Sequence, residues 1–208
     1  MDTLAPSTVQ PVRHWLYDWG GANVDAFLAI QRAWPDAWLW LPEVLSTVGS
    51  YWGAPAVVLL LLVWRRMQAR RGADSLDASL CSFVLGFALA MAAAAVAKMA
   101  FALPRPSLVL GEAVYRAASG PDSRYTLPSG HSVYVGVLAV ALWPLFGWGG
   151  RVGLLAFAAA VGWSRIVLGA HFPADVIVGL ALGGMCVASV GPWAERLARR
   201  LLAAGARR

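Results

Sequence analysis

Leu80 to Ala97 reads LCSFVLGFALAMAAAAVA, 18 residues without a charge, closed by Lys98, the only lysine in the chain. A helix needs about 20 apolar residues to cross a bilayer core, so the stretch reads as a membrane span with a cation at its end. Composition extends that reading to the whole chain. Of 208 residues, 59% are hydrophobic and 13% charged, whereas a soluble domain is roughly a quarter charged. This excludes intrinsic disorder, a coiled coil and a disulfide-stapled secreted module. The net charge is +6, but the arginines cluster between apolar runs, where orientation signals sit. They do not form a nucleic-acid-binding stripe with interleaved aromatics.

Four further spans are expected: Leu39 to Trp64, softened by Pro42, Gly49, Gly53 and Pro55; Ser132 to Trp148; Val152 to Ser164, short unless it runs past Arg165; and Val176 to Trp193. Met1 to Trp19 lacks the apolar core of a signal peptide. Val24 to Trp34, with Phe27, Leu28 and Ile30, is too short to span. It reads as an amphipathic helix in the membrane surface, beside an interfacial belt of Trp15, Trp19, Trp34, Trp38 and Trp40. Cys81 and Cys186 lie inside apolar runs without metal-ligand spacing and read as small hydrophobes.

The expected fold is therefore all-α: a polytopic membrane helical bundle of five spans, with six as the alternative, plus an N-terminal amphipathic interfacial helix. It forms one integral-membrane domain over residues 1–208, with 1–38 interfacial and 98–175 carrying the chemistry. Arg65, Arg66, Arg70, Arg71, Arg151, Arg196, Arg199, Arg200, Arg207 and Arg208 fall at one end of the bundle. Arg13, Arg32, Lys98, Arg105, Arg116, Arg124 and Arg165 fall at the other. The positive-inside rule makes the first end cytoplasmic and turns the Pro104–Pro128 connection outward. The tail from Glu195 reads as a basic helix end near anionic headgroups, or as a plain stop-transfer anchor.

Three short patterns sit at span ends on the outward side. Lys98 is followed, six residues on, by Arg105-Pro106; alone, Lys98 reads as a snorkelling anchor. Pro128-Ser129-Gly130-His131 precedes the third span. Ser129 suits an N-cap, Gly130 leaves room for close backbone approach, and free N–H groups at a helix start attract anions. It also reads as a capped helix with an interfacial histidine. In the third pattern, Ser164-Arg165 is followed by His171 and Asp175. Pro173 favours a first helical turn, which brings Asp175 within reach of His171. The carboxylate then either holds one imidazole nitrogen or merely complements the helix dipole.

Topology favours one joint site over separate structural roles. Lys98 closes one span, His131 opens the next, Arg165 closes another and His171 opens the last. An up-down chain puts all four on one side. Ionisable groups at membrane depth usually face a bundle interior or aqueous cavity, so three cations, two histidines and an aspartate are expected to converge on one pocket.

Taken in order, Lys98-x6-Arg105-Pro106, Pro128-Ser129-Gly130-His131 and Ser164-Arg165-x5-His171-x3-Asp175 resemble the complete signature of the type 2 phosphatidic acid phosphatase superfamily. That superfamily includes bacterial lipid phosphate phosphatases and the large, soluble vanadium-dependent haloperoxidases. The resemblance implies that His171 is a nucleophile forming a phosphohistidine and that Asp175 orients it. It further implies that His131 is the general acid and then the base that activates water. Lys98, Arg105 and Arg165, assisted by Ser129 and Gly130, would hold the phosphate oxygens. The residue types agree: arginine offers bidentate donors, and the N–H groups of a helix start add neutral ones. Asp175 is the only acid in the three patterns, so there is no carboxylate cluster for magnesium, and neither metal nor cofactor is expected.

A pocket opening at the outer leaflet favours a lipid phosphate as substrate and membrane lipids as neighbours. The family implies undecaprenyl diphosphate, phosphatidic acid, phosphatidylglycerol phosphate or the lipid A phosphates. A compact chain with an outward site favours undecaprenyl diphosphate. The expected setting is a bacterial cytoplasmic (inner) membrane, with the site facing the periplasm and the C-terminus cytoplasmic. Arg116 and Arg124 are expected to shape headgroup choice. Two alternatives stand beside this reading. One is a lipid phosphotransferase; the other is a non-enzymatic lipid-binding membrane protein, supported by packing motifs such as Gly179-x3-Gly183.

Overall fold

Apolar runs rich in Ala, Leu and Val, punctuated by Gly and Pro, become helices throughout the computed structural model, which describes residues 15–68, 74–118 and 123–205. In chain order these are α1 (Trp15–Asp18), α2 (Ala22–Arg32), α3 (Trp40–Val48), α4 (Ala54–Met67), α5 (Asp74–Phe101), α6 (Pro106–Leu110), α7 (Gly130–Leu142), α8 (Trp148–Val167) and α9 (Pro173–Gly205). A lone β-bridge pairs Pro104 with Tyr125 across the α5–α7 connection.

Helices α5, α8 and α9 are long and apolar enough to cross a membrane. The segments holding α3 and α4, bent by 45° at their junction, are so when taken together. With the shorter apolar helix α7 these are the five expected segments, though their edges differ from the sequence reading. The first is not merely softened. It breaks where Ser50 leaves the helix and accepts from the Trp52 amide to cap a fresh turn. The third stops at Leu142 rather than near Trp148, because Pro144 has no N–H to continue the ladder. The fourth runs through Arg165 to Val167. The last absorbs the tail from Glu195 to Gly205. Of the residues used above for orientation, Arg13, Arg70, Arg71, Arg207 and Arg208 lie outside the described ones, as does most of Met1 to Trp19.

At 13 residues, α7 is only about 20 Å long, shorter than a bilayer core. It needs no lipid contact, because Val133, Val135 and Val137 are buried around its circumference. A helix apolar all round belongs inside a bundle. Small residues let α9 press directly onto it. A Cβ at Gly183 would lie 2.1 Å from the Val133 carbonyl oxygen, and one at Gly136 would lie 2.5 Å from that of Leu180. Gly179-x3-Gly183 thus serves packing within the chain. The crossing brings the two helix starts together, and the Ser129 amide donates to the Asp175 carbonyl at 3.1 Å.

Gly183→Val drives a side chain into opposing main chain, which cannot swing aside. Overpacking typically costs about 1–3 kcal/mol. A clear drop in the melting midpoint of detergent-purified protein is expected, against no change for Gly149→Ala, where an added Cβ meets nothing within 4 Å.

Candidate active site

Four element ends meet at one end of the bundle: the last turn of α5, the first turns of α7 and α9, and the last turn of α8. A cavity of about 200 Å³ opens there. Lys98, Arg105, Gly130, His131 and His171 all line it, so both imidazoles and two of the expected cations face one space. Ser123 completes the polar side, and Met91, Ala94 and Ala95 of α5 form an apolar wall. Ser129 and Asp175 are wholly buried behind this lining. Ser129 caps α7 by accepting from the Ser132 amide at 3.4 Å. Arg165 is also buried, and its Nη1 donates to Ser46 Oγ on α3.

The cations hold the neighbouring chain as well as lining the cavity. Lys98 Nζ donates to the Tyr125 carbonyl at 3.0 Å and to Ser123 Oγ at 3.4 Å. Arg105 donates from Nη1 to the Ala170 carbonyl at 3.0 Å and from Nε to the Ser123 carbonyl. The α5–α7 connection is thus tied to the same charges that face the cavity.

His171 sits on the turn between α8 and α9. That turn needs Gly169, whose φ of +73° favours glycine and whose absent Cβ would lie 1.9 Å from the Val114 carbonyl oxygen. Below the imidazole, Nδ1 is 3.2 Å from Thr126 Oγ1 and 3.5 Å from Asp175 Oδ2. Asp175 Oδ2 accepts from the Phe172 amide at 2.8 Å and from the Thr126 hydroxyl. Its Oδ1 accepts from the Tyr17 hydroxyl at 2.9 Å. Burial, then the charges of Arg105, Arg165 and Lys98, hold the His171 pKa well below the ordinary imidazole value, so the ring is neutral at neutral pH. Burial and the adjacent Asp175 raise the Tyr17 phenol above its usual range, which keeps it a donor. His131 meets the Tyr51 ring edge-on, with centroids 5.7 Å apart.

The motif reading missed Tyr17, Asn23, Gln31, Thr126 and Ser123. Helix α2 does have an apolar face, but it packs on the back of the site, with Phe27 fully buried and 5.2 Å from the Phe172 ring. Asn23 Oδ1 accepts from the Ala174 amide at 3.0 Å, satisfying a donor in the first turn of α9. Gln31 Nε2 reaches the Val114 carbonyl at 2.6 Å. Arg116, expected to shape headgroup choice, is not among the residues lining the cavity. Its guanidinium donates to the Gln31 and Trp34 carbonyls at 2.9 and 2.8 Å and pairs with Asp36, tying α2 to the connection. Arg124 is exposed. Both cysteines are unbridged. Among the described residues, no three His, Cys, Asp or Glu side chains are grouped as metal ligands.

Residues 79–199 match the family model described as PAP2 superfamily. The lipid A 1-phosphatase of Rhizobium etli is 46% identical over 69 residues, which cover 32% of this chain and 28% of that one. The lipid A 1-phosphatase of Rhizobium johnstonii is 43% identical over 68 residues, 31% of this chain and 26% of that one. The matched stretch thus spans little more than a quarter of these curated relatives. Among solved structures, Aquifex aeolicus LpxE superposes with a TM-score of 0.68 at 22% identity, over 80% of this chain and 92% of that one. The first transmembrane PAP2-type phosphatidylglycerolphosphate phosphatase from Bacillus subtilis gives 0.67 at 19% identity, over 86% and 87%. At these identities the likeness establishes a shared transmembrane helical fold.

Two outcomes follow from the geometry. Tyr17→Phe leaves a buried carboxylate oxygen without its donor. A hydrogen bond to a charged group is worth about 1.5–3 kcal/mol, so the thermal midpoint is expected to fall while the far-ultraviolet dichroism stays helical. Because the His171 pKa is depressed, the acid limb of kcat/KM should lie below the ordinary histidine value of about 6.5. Arg105→Gln removes the charge with the largest effect on that ring, so the limb should move to higher pH in a pH–rate profile.

Proposed function

The chain belongs to the PAP2 superfamily and is an integral membrane protein; from that premise we propose that it is a lipid phosphate phosphatase working through a phosphohistidine. One observation carries the reading: His131, His171, Lys98 and Arg105 line a single cavity of about 200 Å³. Pockets that enclose a whole small ligand run to roughly 300–1,000 Å³. This one suits a phosphate headgroup whose chains stay in the bilayer, against the wall of Met91, Ala94 and Ala95.

The chemistry needs two proton transfers and two displacements. Neutral His171 attacks phosphorus through Nε2, the nitrogen turned away from Thr126 and Asp175. The bond from phosphorus to the lipid oxygen breaks as His131 delivers a proton to that oxygen. Dephosphorylated lipid leaves. His131, now neutral, takes a proton from water; the oxygen attacks phosphorus, the P–N bond breaks, and inorganic phosphate and free His171 return. Lys98, Arg105 and Arg165 balance the negative charge throughout, with amides at the start of α7 as neutral donors. No step calls for a metal. The arginines at the far end (Arg65, Arg66, Arg151, Arg196, Arg199 and Arg200) support a cytoplasmic C-terminus and a periplasmic cavity.

Within this class, the matched relatives named lipid A 1-phosphatase support a glycolipid 1-phosphate ahead of undecaprenyl diphosphate. The test offers detergent-purified protein both lipids, phosphatidic acid and phosphatidylglycerol phosphate, with chelator present. Phosphate release from one or more is expected, fastest from the glycolipid. His171→Ala should lose turnover by at least about 10³-fold yet still bind substrate. A variant that keeps near-normal rates sinks the nucleophile assignment, and phosphate appearing only on an added acceptor lipid makes the protein a phosphotransferase.

A further inference from the structure

Asp175 is not the hydrogen-bond partner nearest to His171. Its Oδ2 stands 3.5 Å from Nδ1, beyond the usual 2.7–3.2 Å range of an N–H···O bond. Thr126 Oγ1 stands closer, at 3.2 Å, and itself bonds Asp175 Oδ2. We propose that Thr126 is a positioning residue for the phosphoryl transfer, its hydroxyl linking Asp175 to His171 and fixing which imidazole nitrogen is free to attack.

Proton bookkeeping forces the direction. An ionised carboxylate only accepts, and a hydroxyl has one proton to give and two lone pairs. The Thr126 proton therefore goes to Asp175, leaving only lone pairs toward His171. Nδ1 must supply the proton on that side, so the proton of the neutral ring sits on Nδ1 and the lone pair on Nε2. Thr126 and Asp175 are both 0% exposed, so no solvent competes for this chain of bonds. Nor can the hydroxyl drift. The Thr126 amide donates to the Leu103 carbonyl at 2.9 Å, and Lys98 holds the preceding Tyr125 carbonyl. The Phe172 amide and the Tyr17 hydroxyl occupy other acceptor positions on the carboxylate. They stop Asp175 from turning away.

The inference rests on His171 being the nucleophile, and the experiment separates the two ideas. Wild type, His171→Ala, Thr126→Val, Thr126→Ser, Asp175→Asn and the Thr126→Val/Asp175→Asn double variant are compared for kcat, KM and melting midpoint on the best lipid phosphate. Misplacing a catalytic group costs about 10²-fold. Thr126→Val should lose kcat on that scale with KM within about twofold, and Thr126→Ser should stay within about threefold of wild type. Residues acting as a unit are not additive, so the double variant should be no slower than the slower single one. Should Thr126→Val fail to fold, ¹⁵N spectra of wild type labelled at histidine still decide: the neutral His171 ring must carry its proton on Nδ1. The proposal is overturned if Thr126→Val keeps more than about a third of wild-type kcat, if Thr126→Ser falls as far as Thr126→Val, if the double variant multiplies the two losses, or if the proton resides on Nε2. Activity that survives in His171→Ala would instead strike at the nucleophile itself.

Discussion

The amide of Ser129 donates to the carbonyl of Asp175 across 3.1 Å, and that contact exists only because α7 and α9 cross at Gly136, Gly179 and Gly183 with almost no side chain between them. The crossing sets two helix starts side by side. Each presents the positive end of its dipole, although the first-turn amides of α9 are already spent on Asn23 and on the Phe172 carbonyl. Lys98 and Arg105 then face the cavity these starts border, with Arg165 buried nearby. The result is a concentrated positive field at a low-dielectric end of the bundle, which is strongest for a small multiply charged anion. Packing of small residues deep in the apolar part is therefore the origin of the electrostatics at its rim.

Such a field needs restraint before a substrate arrives. Some comes from main-chain carbonyls, since Lys98 leans on Tyr125 and Arg105 on Ala170 and Ser123. More comes from Asp175, and burying a carboxylate is costly unless its oxygens are satisfied. Here both are, by the Phe172 amide and Thr126 on one and by Tyr17 on the other. Burial first, and then the same cations, hold the His171 pKa down, so a field suited to a multiply charged anion also favours the neutral ring with its lone pair. Anion attraction and a neutral imidazole thus share part of their cause.

Much of this was legible in the sequence, for physical reasons that also mark where legibility ends. Charges are rare in the apolar stretches, so Lys98, Arg105, Arg165, His131 and His171 announce themselves, and alternation of spans places them on one side. Ser129 and Pro173 signal helix starts through local chemistry, and both begin helices as expected. Thr126 carried no signal, because one threonine in a polar connection has no period and no partner nearby in sequence. Tyr17 bonds a residue 158 positions away. Periodicity reveals that α2 has a face to bury but not what covers it, because an apolar stripe suits a membrane surface and a protein neighbour alike. A related limit applies to Arg116: a loop arginine reads as an anion contact, and nothing local in the sequence shows the Gln31 and Trp34 carbonyls and Asp36 that it serves.

The division of labour along the chain follows from these placements. The described residues lining the cavity include none from α1 or α2, whereas Tyr17, Asn23 and Phe27 all act on the far side of the His171 turn. Those two helices also lie outside residues 79–199, the stretch that matches the family. A residue that touches only the back of the site can alter how firmly the His171 turn is held, but it has no differential contact with one ligand over another. Discrimination between ligands is a difference of contacts, so it must reside in groups that reach the cavity or its mouth. Tyr51 and Ser123 line that space, and Met91, Ala94 and Ala95 form the wall a lipid stem would pass. Rigidity is supplied from behind and choice from in front, which frees each to vary without dismantling the other.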